Sequence, residues 1–251
     1  MTNLLKKTSI LFEDDFILIF DKPSGLLTIP DRFDQEVPSV LQYLVERTKQ
    51  KVFPVHRIDK DTSGLLCFAK DKESHAHISQ QFEKRTVKKT YFALVLGNVE
   101  QANGIIEEKI GPDNSRAGRM KIDSDGKTAT TKFELIEHID KYSSLSVQIL
   151  TGRTHQIRLH LKHIGHPLAV DPFYGSSRGI FLSDVKAKYN QSKHKTERPM
   201  IGRLTLHATN LTIKHPNSNK DIEFVSELPK DLAVSIKLLK KYGKTTDTLQ
   251  N

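Results

Sequence analysis

Short apolar runs separated by polar turns predict strands in the first part of the chain. Two β-prone runs, Ser9 to Phe12 and Phe16 to Phe20, flank three acidic residues and are followed by Pro23 and Gly25. Such runs bounded by turn residues are typical of hairpins. The sequence therefore predicts a hairpin that leads into a turn.

Further strands and four helices follow from the same pattern. Strands are predicted at Gly64 to Lys70, Thr90 to Leu96, Thr128 to Ile139, Ser144 to Leu150 and Leu204 to Ile213. Helices are predicted at Ser39 to Lys49, Ser74 to Lys84, Arg153 to Gly165 and Leu228 to Tyr242. This mixture of hairpins and helices predicts an α+β fold with a mixed, largely antiparallel sheet.

The residues from Ser176 to Arg203 interrupt this pattern, because they are rich in Ser, Lys and Asn and poor in apolar residues after Leu182. We interpret them as a basic loop that is either mobile and solvated or in contact with RNA. Residues 243–251 form a polar tail. The organisation predicted is one domain over residues 1–251.

Charge favours a polyanionic partner. The chain has 39 Lys and Arg against 30 Asp and Glu, a formal charge of +9, and such an excess is typical of proteins that bind nucleic acid.

Cys67 is the single cysteine, so neither a disulfide framework nor a cysteine zinc site is predicted. The beginning of the chain does not resemble a signal peptide, and no apolar run approaches the ~18 residues of a membrane span. These features predict a cytoplasmic protein.

The stretch VHRIDKDTSGLLCFAK, from Val55 to Lys70, places seven ionisable or hydroxyl side chains directly before an apolar run. It is either a solvated turn or an active-site loop. An aspartic protease needs a second Asp-Thr-Gly-like segment, which is absent, and the surroundings of Ser63 do not match a nucleophile elbow. Phosphate-binding glycine motifs are also absent, so use of nucleotide cofactors is not supported.

Four histidines crowd the segment of the third predicted helix, but their spacing does not match zinc motifs. On that helix Arg153, Gln156, His160 and His163 would form one polar stripe. The stripe is interpreted either as a solvent-exposed face or as a positive surface for an anion.

Several motifs taken in order resemble the RluA-type RNA pseudouridine synthase family. They are DDFILIFDKPSGLLTIP, HRIDKDTSGLL, KKTYFALVLG and ILTGRTHQIRLHLKHIGHPLAVDPFYG, and the resemblance covers roughly Ile10 to Val225. It implies the catalytic fold of that family and an isomerase that converts uridines in ribosomal or transfer RNA to pseudouridine. It implies no cofactor and no metal.

The resemblance also assigns roles to four residues. Asp59 matches the catalytic aspartate, Tyr91 the aromatic residue that stacks on uracil, and Arg153 the arginine that pairs with the catalytic carboxylate. Arg57 matches the arginine that occupies the space of the flipped base. Such groups suit a reaction that must extrude a base from RNA, at a cost of a few kcal/mol, because an aromatic face and a planar cation hold bases well.

Each residue also has a structural interpretation, as a turn carboxylate for Asp59, a packing aromatic for Tyr91, a surface charge for Arg153 and a phosphate contact for Arg57.

Many family members begin with a small RNA-binding domain, whereas here the catalytic pattern starts by residue 10. We therefore expect the catalytic domain alone to hold RNA, with help from Lys186 to Arg203, as a monomer without a protein partner. The alternative is a non-catalytic RNA-binding or ribosome-assembly module on the same fold.

Overall fold

The computed structural model describes residues 9–34, 36–186, 189 and 196–243. The chain divides into two compact units, Met1–Tyr91 with His207–Glu227 and Phe92–Leu206 with Leu228–Asn251. Each unit is therefore assembled from segments that are distant in sequence.

The described residues form eleven strands and four α-helices. The strands are β1 (Ser9–Glu13), β2 (Ile17–Lys22), β3 (Phe53–Pro54), β4 (Ser63–Ala69), β5 (Lys88–Leu96), β6 (Asn103–Pro112), β7 (Met120–Ile122), β8 (Lys127–Ile139), β9 (Tyr142–Ile149), β10 (Leu206–Lys214) and β11 (Asp221–Val225). The helices are α1 (Val40–Thr48), α2 (Lys72–Glu83), α3 (Gln156–His163) and α4 (Lys230–Tyr242). No helix within these described ranges is both long enough and apolar enough to cross a membrane.

The first unit is organised around β4, in which every residue is buried. β2 pairs with it in the antiparallel direction from Ile17 to Lys22, and β1 forms a hairpin with β2. On its other edge β4 runs parallel to β10, with Ser63 opposite His207. A continuous apolar run is what a strand covered on both faces requires. The parallel pair makes the arrangement mixed, as predicted.

Both helices of the first unit begin at side-chain caps. Ser39 and Gln42 form a capping box, in which Gln42 Oε1 accepts the backbone N–H of Ser39 at 3.0 Å. Asp71 caps α2 by accepting the backbone N–H of Ser74 at 2.7 Å. This cap moves the start of α2 to Lys72, two residues before the predicted start, because the capping oxygen satisfies an otherwise unpaired N–H of the first turn.

The second unit has a ladder in the order β5-β9-β8-β6-β7, in which β9 with β8, β8 with β6 and β6 with β7 pair in the antiparallel direction. The predicted hairpin that turns at Asp140 is confirmed by the pairing of β8 with β9. The apolar face of α4 joins a buried cluster with the ladder. Its members include Phe92, Leu94, Ile139, Tyr142, Leu232, Ile236 and Leu239.

The third helix is shorter than predicted. α3 begins at Gln156, because His155 adopts a left-handed backbone (φ 57°) and the side chain of Gln156 accepts the N–H of Arg153 at 3.0 Å. Gln156 is 3% exposed and His160 is fully buried. The interpretation of these residues as a solvent-exposed stripe was therefore wrong, and Arg153 lies outside the helix.

The predicted basic loop, residues 176–203, is anchored at points that the sequence did not indicate. Ile180 and Ile201 are buried, and the N–H of Ile180 donates to the carbonyl of Ile201 at 2.9 Å. Arg178 forms two hydrogen bonds with the carboxylate of Asp184. Residues 187, 188 and 190–195 of the loop, and residues 244–251 of the predicted tail, lie outside the described residues.

Candidate active site

The segment Val55–Thr62, called here the charged loop, joins β3 to β4 in the first unit. Thr28 fastens its middle, because the Thr28 hydroxyl donates to the carbonyl of Ile58 at 3.0 Å. The N–H of Thr62 donates to the carbonyl of Asp59 at 3.2 Å and closes a turn. The backbone of the loop that carries Asp59 is thus held in place on both sides of this residue.

Lys22 also holds the backbone of the charged loop through hydrogen bonds. Its ammonium group donates to the carbonyl oxygens of Lys60 and Leu26, each at 2.7 Å, and of Pro23 at 3.0 Å. Lys22 is 1% exposed. A lysine is almost never fully buried unless its donors are satisfied, and here three carbonyls satisfy them. The N–H of Gly25 adds a further bond to the carbonyl of Lys60 at 2.9 Å.

Asp59 and Tyr91 lie close enough to interact electrostatically. Burial, followed by the negative charge of Asp59, raises the pKa of the Tyr91 hydroxyl above its usual range. Tyr91 is 7% exposed on β5, whereas Asp59 is half-buried and Arg57 is exposed. The first unit thus places two predicted site residues together and leaves Arg57 facing solvent.

His56 is the first ionisable side chain of the charged loop. Burial, followed by the positive charge of Lys89, lowers the pKa of His56 to about 3. Its Nε2 accepts the backbone N–H of Cys67 at 3.0 Å, and its ring stacks on Phe82 with centroids 4.8 Å apart. The imidazole is therefore neutral at physiological pH and has a structural role.

A buried chain of polar groups fixes the end of the loop. Ser226 Oγ donates to Asp21 Oδ1 at 3.0 Å and lies 3.1 Å from His207 Nε2. Since the proton of Ser226 is used on Asp21, Nε2 of His207 is the donor and its Nδ1 accepts from Ser63 Oγ, 2.9 Å away. Ser63 is 1% exposed and His207 is fully buried, so this pair cannot attack a substrate. The serine-hydrolase interpretation is excluded.

Arg153 belongs to the second unit, where it precedes α3. Its Nε donates to the carbonyl of Thr128 at 3.1 Å. The amide of Gln156 connects this segment to the ladder, since it accepts from the Thr151 hydroxyl at 2.7 Å and donates to the carbonyl of Thr130 at 2.9 Å. The backbone around Arg153 is thus fixed, and its side chain is partly exposed.

The described part of the chain contains no candidate metal site. There, no group of three or more His, Cys, Asp or Glu side chains is arranged to hold an ion. The histidines predicted on the third helix lie in different surroundings. His160 is buried, and His163 is partly exposed, where its Nε2 lies 3.3 Å from Glu108 Oε1.

Comparison with known families identifies the fold. The sequence profile described as RNA pseudouridylate synthase matches residues 16–163, which contain the charged loop, β5 and α3. The chain belongs to this family. Its α+β fold is thereby confirmed as a pseudouridine synthase fold, and the resemblance of the sequence motifs is confirmed with it.

Individual relatives of this pseudouridine synthase family member cover most of its length. The ribosomal large subunit pseudouridine synthase D of Nitrosomonas europaea is 37% identical over 237 residues, or 92% of this chain. The chain spans 65% of the length of that relative. The dual-specificity RNA pseudouridine synthase RluA of Vibrio vulnificus is 34% identical over 84% of this chain and 80% of its own length. The solved structure of human RNA pseudouridylate synthase domain containing 1 superposes with a TM-score of 0.69 at 26% identity, covering 91% of this chain and 86% of that one.

Sequence reasoning missed the residues that hold the charged loop, namely Lys22, Thr28, His207 and Ser226. Lys22 ends a strand that begins with four apolar residues, and it stands before a proline; this placement is the signal that was available. His207 and Ser226 are separated from the loop by more than a hundred residues, so their contacts follow only from the pairing of β4 with β10.

Proposed function

We propose that the protein is an RNA pseudouridine synthase with Asp59 as its catalytic residue. The observation that carries the proposal is the proximity of Asp59 to Tyr91. Asp59 lies on the charged loop, whose backbone is held by Lys22 and Thr28. A carboxylate beside an aromatic ring provides one group to react at the sugar and one face to receive the base. Membership of the family supports this assignment.

The reaction is an isomerisation and needs no other reactant. The C1′–N1 bond of uridine breaks, the uracil turns, and a C5–C1′ bond forms, while the hydrogen lost from C5 is balanced by one gained at N1. Asp59 either attacks C1′ or removes a proton from the sugar. The raised pKa of Tyr91 keeps its phenol neutral, so that it presents an uncharged ring to the uracil and adds no negative charge beside Asp59.

The two arginines are assigned supporting roles. The exposed guanidinium of Arg57 suits the predicted role of filling the space left by the flipped base, because a planar cation can stack between bases or bind phosphate. The predicted role of Arg153 in substrate binding rests on the resemblance of its GRTHQIR segment. Both assignments stay predictions.

The proposed substrates are ribosomal RNA and transfer RNA. Large-subunit ribosomal RNA is the first to test, because a relative that is 37% identical is named a ribosomal large subunit pseudouridine synthase. The name of the dual-specificity relative supports testing transfer RNA as well. A single catalytic domain over residues 1–251, a monomeric state and a cytoplasmic location stay predictions.

The decisive experiment compares Asp59→Asn with a matched variant, Asp61→Asn. Asp61 is an exposed carboxylate on the same loop, and its backbone carbonyl accepts from Ser24. Pseudouridine would be mapped in cellular RNA from cells that lack the gene and express either variant. We expect Asp59→Asn to bind RNA and form no product, and Asp61→Asn to restore the sites.

Two outcomes would contradict the proposal. Undiminished product from Asp59→Asn would remove Asp59 from the mechanism. If deletion of the gene left every pseudouridine in place, the alternative of a non-catalytic RNA-binding or ribosome-assembly module would be favoured. Thermal unfolding of both variants separates loss of chemistry from loss of fold.

A further inference from the structure

Phe173 is held at the surface of the second unit by a rigid turn. The carboxylate of Asp171 accepts the backbone N–H groups of Phe173 at 2.9 Å and of Tyr174 at 3.1 Å. The guanidinium of Arg158 grips the same carboxylate through two bonds of 2.9 and 2.8 Å. Arg158 and Asp171 are both buried, whereas Phe173 is 39% exposed. The turn therefore fixes where this aromatic ring meets solvent.

Two arginines flank the ring. The Cζ atom of Arg119 lies 4.9 Å from the centroid of Phe173, and that of Arg158 lies 5.2 Å from it. Nη1 of Arg119 also donates to the carbonyl of Phe173 at 2.9 Å. Arg119 is itself held in a turn, because its N–H donates to the carbonyl of Arg116 at 3.1 Å. The arginine and the ring thus form a fixed pair.

The pair is connected to the segment that contains Arg153. The ring of His155 makes an edge contact with Phe173, with centroids 5.7 Å apart. His155 Nδ1 lies 2.7 Å from the hydroxyl of Tyr174, which accepts the N–H of Met120 at 2.8 Å. Rings and a cation are therefore in contact from His155, which precedes α3, to Arg119, which precedes β7.

An exposed aromatic ring is common and by itself indicates nothing. Phe33 shows the difference, because it is 93% exposed but stands among residues 31–36, which include three carboxylates and one arginine. Beside Phe173 lie cations instead, because the guanidinium groups of Arg119 and Arg158 contact its ring and Nζ of Lys162 lies 5.9 Å from the neighbouring Tyr174 ring. A ligand that matches Phe173 carries a flat ring and negative charge together, which describes a nucleotide.

We propose that Phe173 and Arg119 form a stacking surface for an unpaired base of the substrate RNA, outside the uridine that is isomerised. Bases stack on aromatic rings and on guanidinium planes without needing a defined sequence, and the neighbouring cations neutralise the phosphates on either side. This assignment rests on the proposed function in that RNA is the ligand. It adds a contact in the second unit that the sequence motifs did not predict.

The test uses the full chain and short single-stranded RNA that carries one fluorescent aminopurine. Stacking quenches aminopurine, so the signal reports contact of a base with a ring. We expect Phe173→Leu, which keeps apolar bulk but removes the ring, to abolish the quenching and to weaken binding roughly tenfold, the typical loss of one stacked base. Phe173→Trp should retain both. Iodouracil-substituted RNA should crosslink to Phe173 in the native protein.

Phe33→Leu is the matched control, since it makes the same substitution at a more exposed ring among carboxylates. It should leave quenching and affinity unchanged. Equal losses in Phe33→Leu and Phe173→Leu, or full quenching in Phe173→Leu, would overturn the assignment. Unfolding curves of both variants exclude a general loss of structure.

Failure of this proposal is distinguishable from failure of the catalytic one. If native protein forms pseudouridine and Phe173→Leu does so with unchanged KM, the stacking surface is wrong and the catalytic proposal stands. If quenching depends on Phe173 but Asp59→Asn retains full product, the stacking surface stands and the catalytic assignment of Asp59 is wrong.

Discussion

The hydroxyl of Ser63 lies 2.9 Å from Nδ1 of His207, and this buried bond joins the first residue of β4 to β10. Asp59 is four residues before Ser63, so the bond fixes the exit of the loop that carries the carboxylate. A hydroxyl buried without a partner costs about 1–3 kcal/mol. The link therefore contributes to stability and to the position of Asp59.

A double-mutant cycle tests this link. We expect His207→Phe, which keeps a ring but removes both nitrogens, to lower the free energy of unfolding by about 2 kcal/mol because the bonds of His207 to Ser63 and Ser226 are lost. Ser63→Ala should restore part of the loss, so that the double variant costs about 1 kcal/mol less than the sum of the single ones. Urea unfolding measures all three. Strictly additive losses would show that the bond carries no stabilising energy.

A second prediction concerns Lys22. Lys22→Met keeps the apolar stem but removes the ammonium group that donates to the carbonyls of Pro23, Leu26 and Lys60, so we expect a loss of about 3 kcal/mol or more. The amide of Gly25, which donates to the carbonyl of Lys60, should exchange its hydrogen faster. Lys72→Met, at an exposed lysine of α2, is the control and should change stability by less than about 0.5 kcal/mol. Equal effects of the two substitutions would contradict the role of Lys22.

A third prediction concerns acid. The pKa of His56 is about 3 in the folded protein, against about 6.5 in an unfolded chain. Below the unfolded value only the unfolded state takes up this proton, so stability present above about pH 6.5 is lost as the pH falls toward 3. Since His56 is partly exposed, we expect a loss of about 1–2 kcal/mol between about pH 7 and pH 5.

His56→Gln separates this contribution from others. Glutamine can accept the N–H of Cys67 but does not titrate, so its stability should vary less over the same pH interval, although it is lower at neutral pH. Burial also lowers the pKa of His160, and that residue should produce the acid loss that remains. A variant with the same pH dependence as the native protein would exclude His56 as a source.

The elements that the sequence predicted correctly are those with strong local patterns. The continuous apolar run of β4 is typical of a buried strand. The periodic spacing of apolar residues in α1 is typical of an amphipathic helix. β6 was missed because it exposes Ile105 and carries three consecutive charged residues, Glu107, Glu108 and Lys109, which weakens the apolar pattern. The start of α3 was misplaced because its N-cap residue, His155, has a left-handed backbone and makes no side-chain cap bond, which no sequence pattern indicates.

The predicted site residues followed from motif resemblance, whereas their support did not. Asp59 and Tyr91 belong to compact motifs that can be recognised in a single chain. The partners of the loop backbone are carbonyl and amide groups, which every residue has, so no side-chain pattern identifies them. The position of His207 beside Ser63 depends on a parallel pairing between segments that are separated in sequence by Phe92–Leu206 of the second unit.

Gly64, which follows Ser63 in β4, adopts a φ of +109°, and a Cβ atom there would overlap the backbone of Ala208. Two main chains meet at this point, and β4 and β10 can pair there because position 64 carries no side chain. For engineering, this means that exposed positions of the charged loop with no assigned role, such as Lys60, can be randomised while the junction of β4 and β10 stays intact. Gly64 has to be kept in any such library.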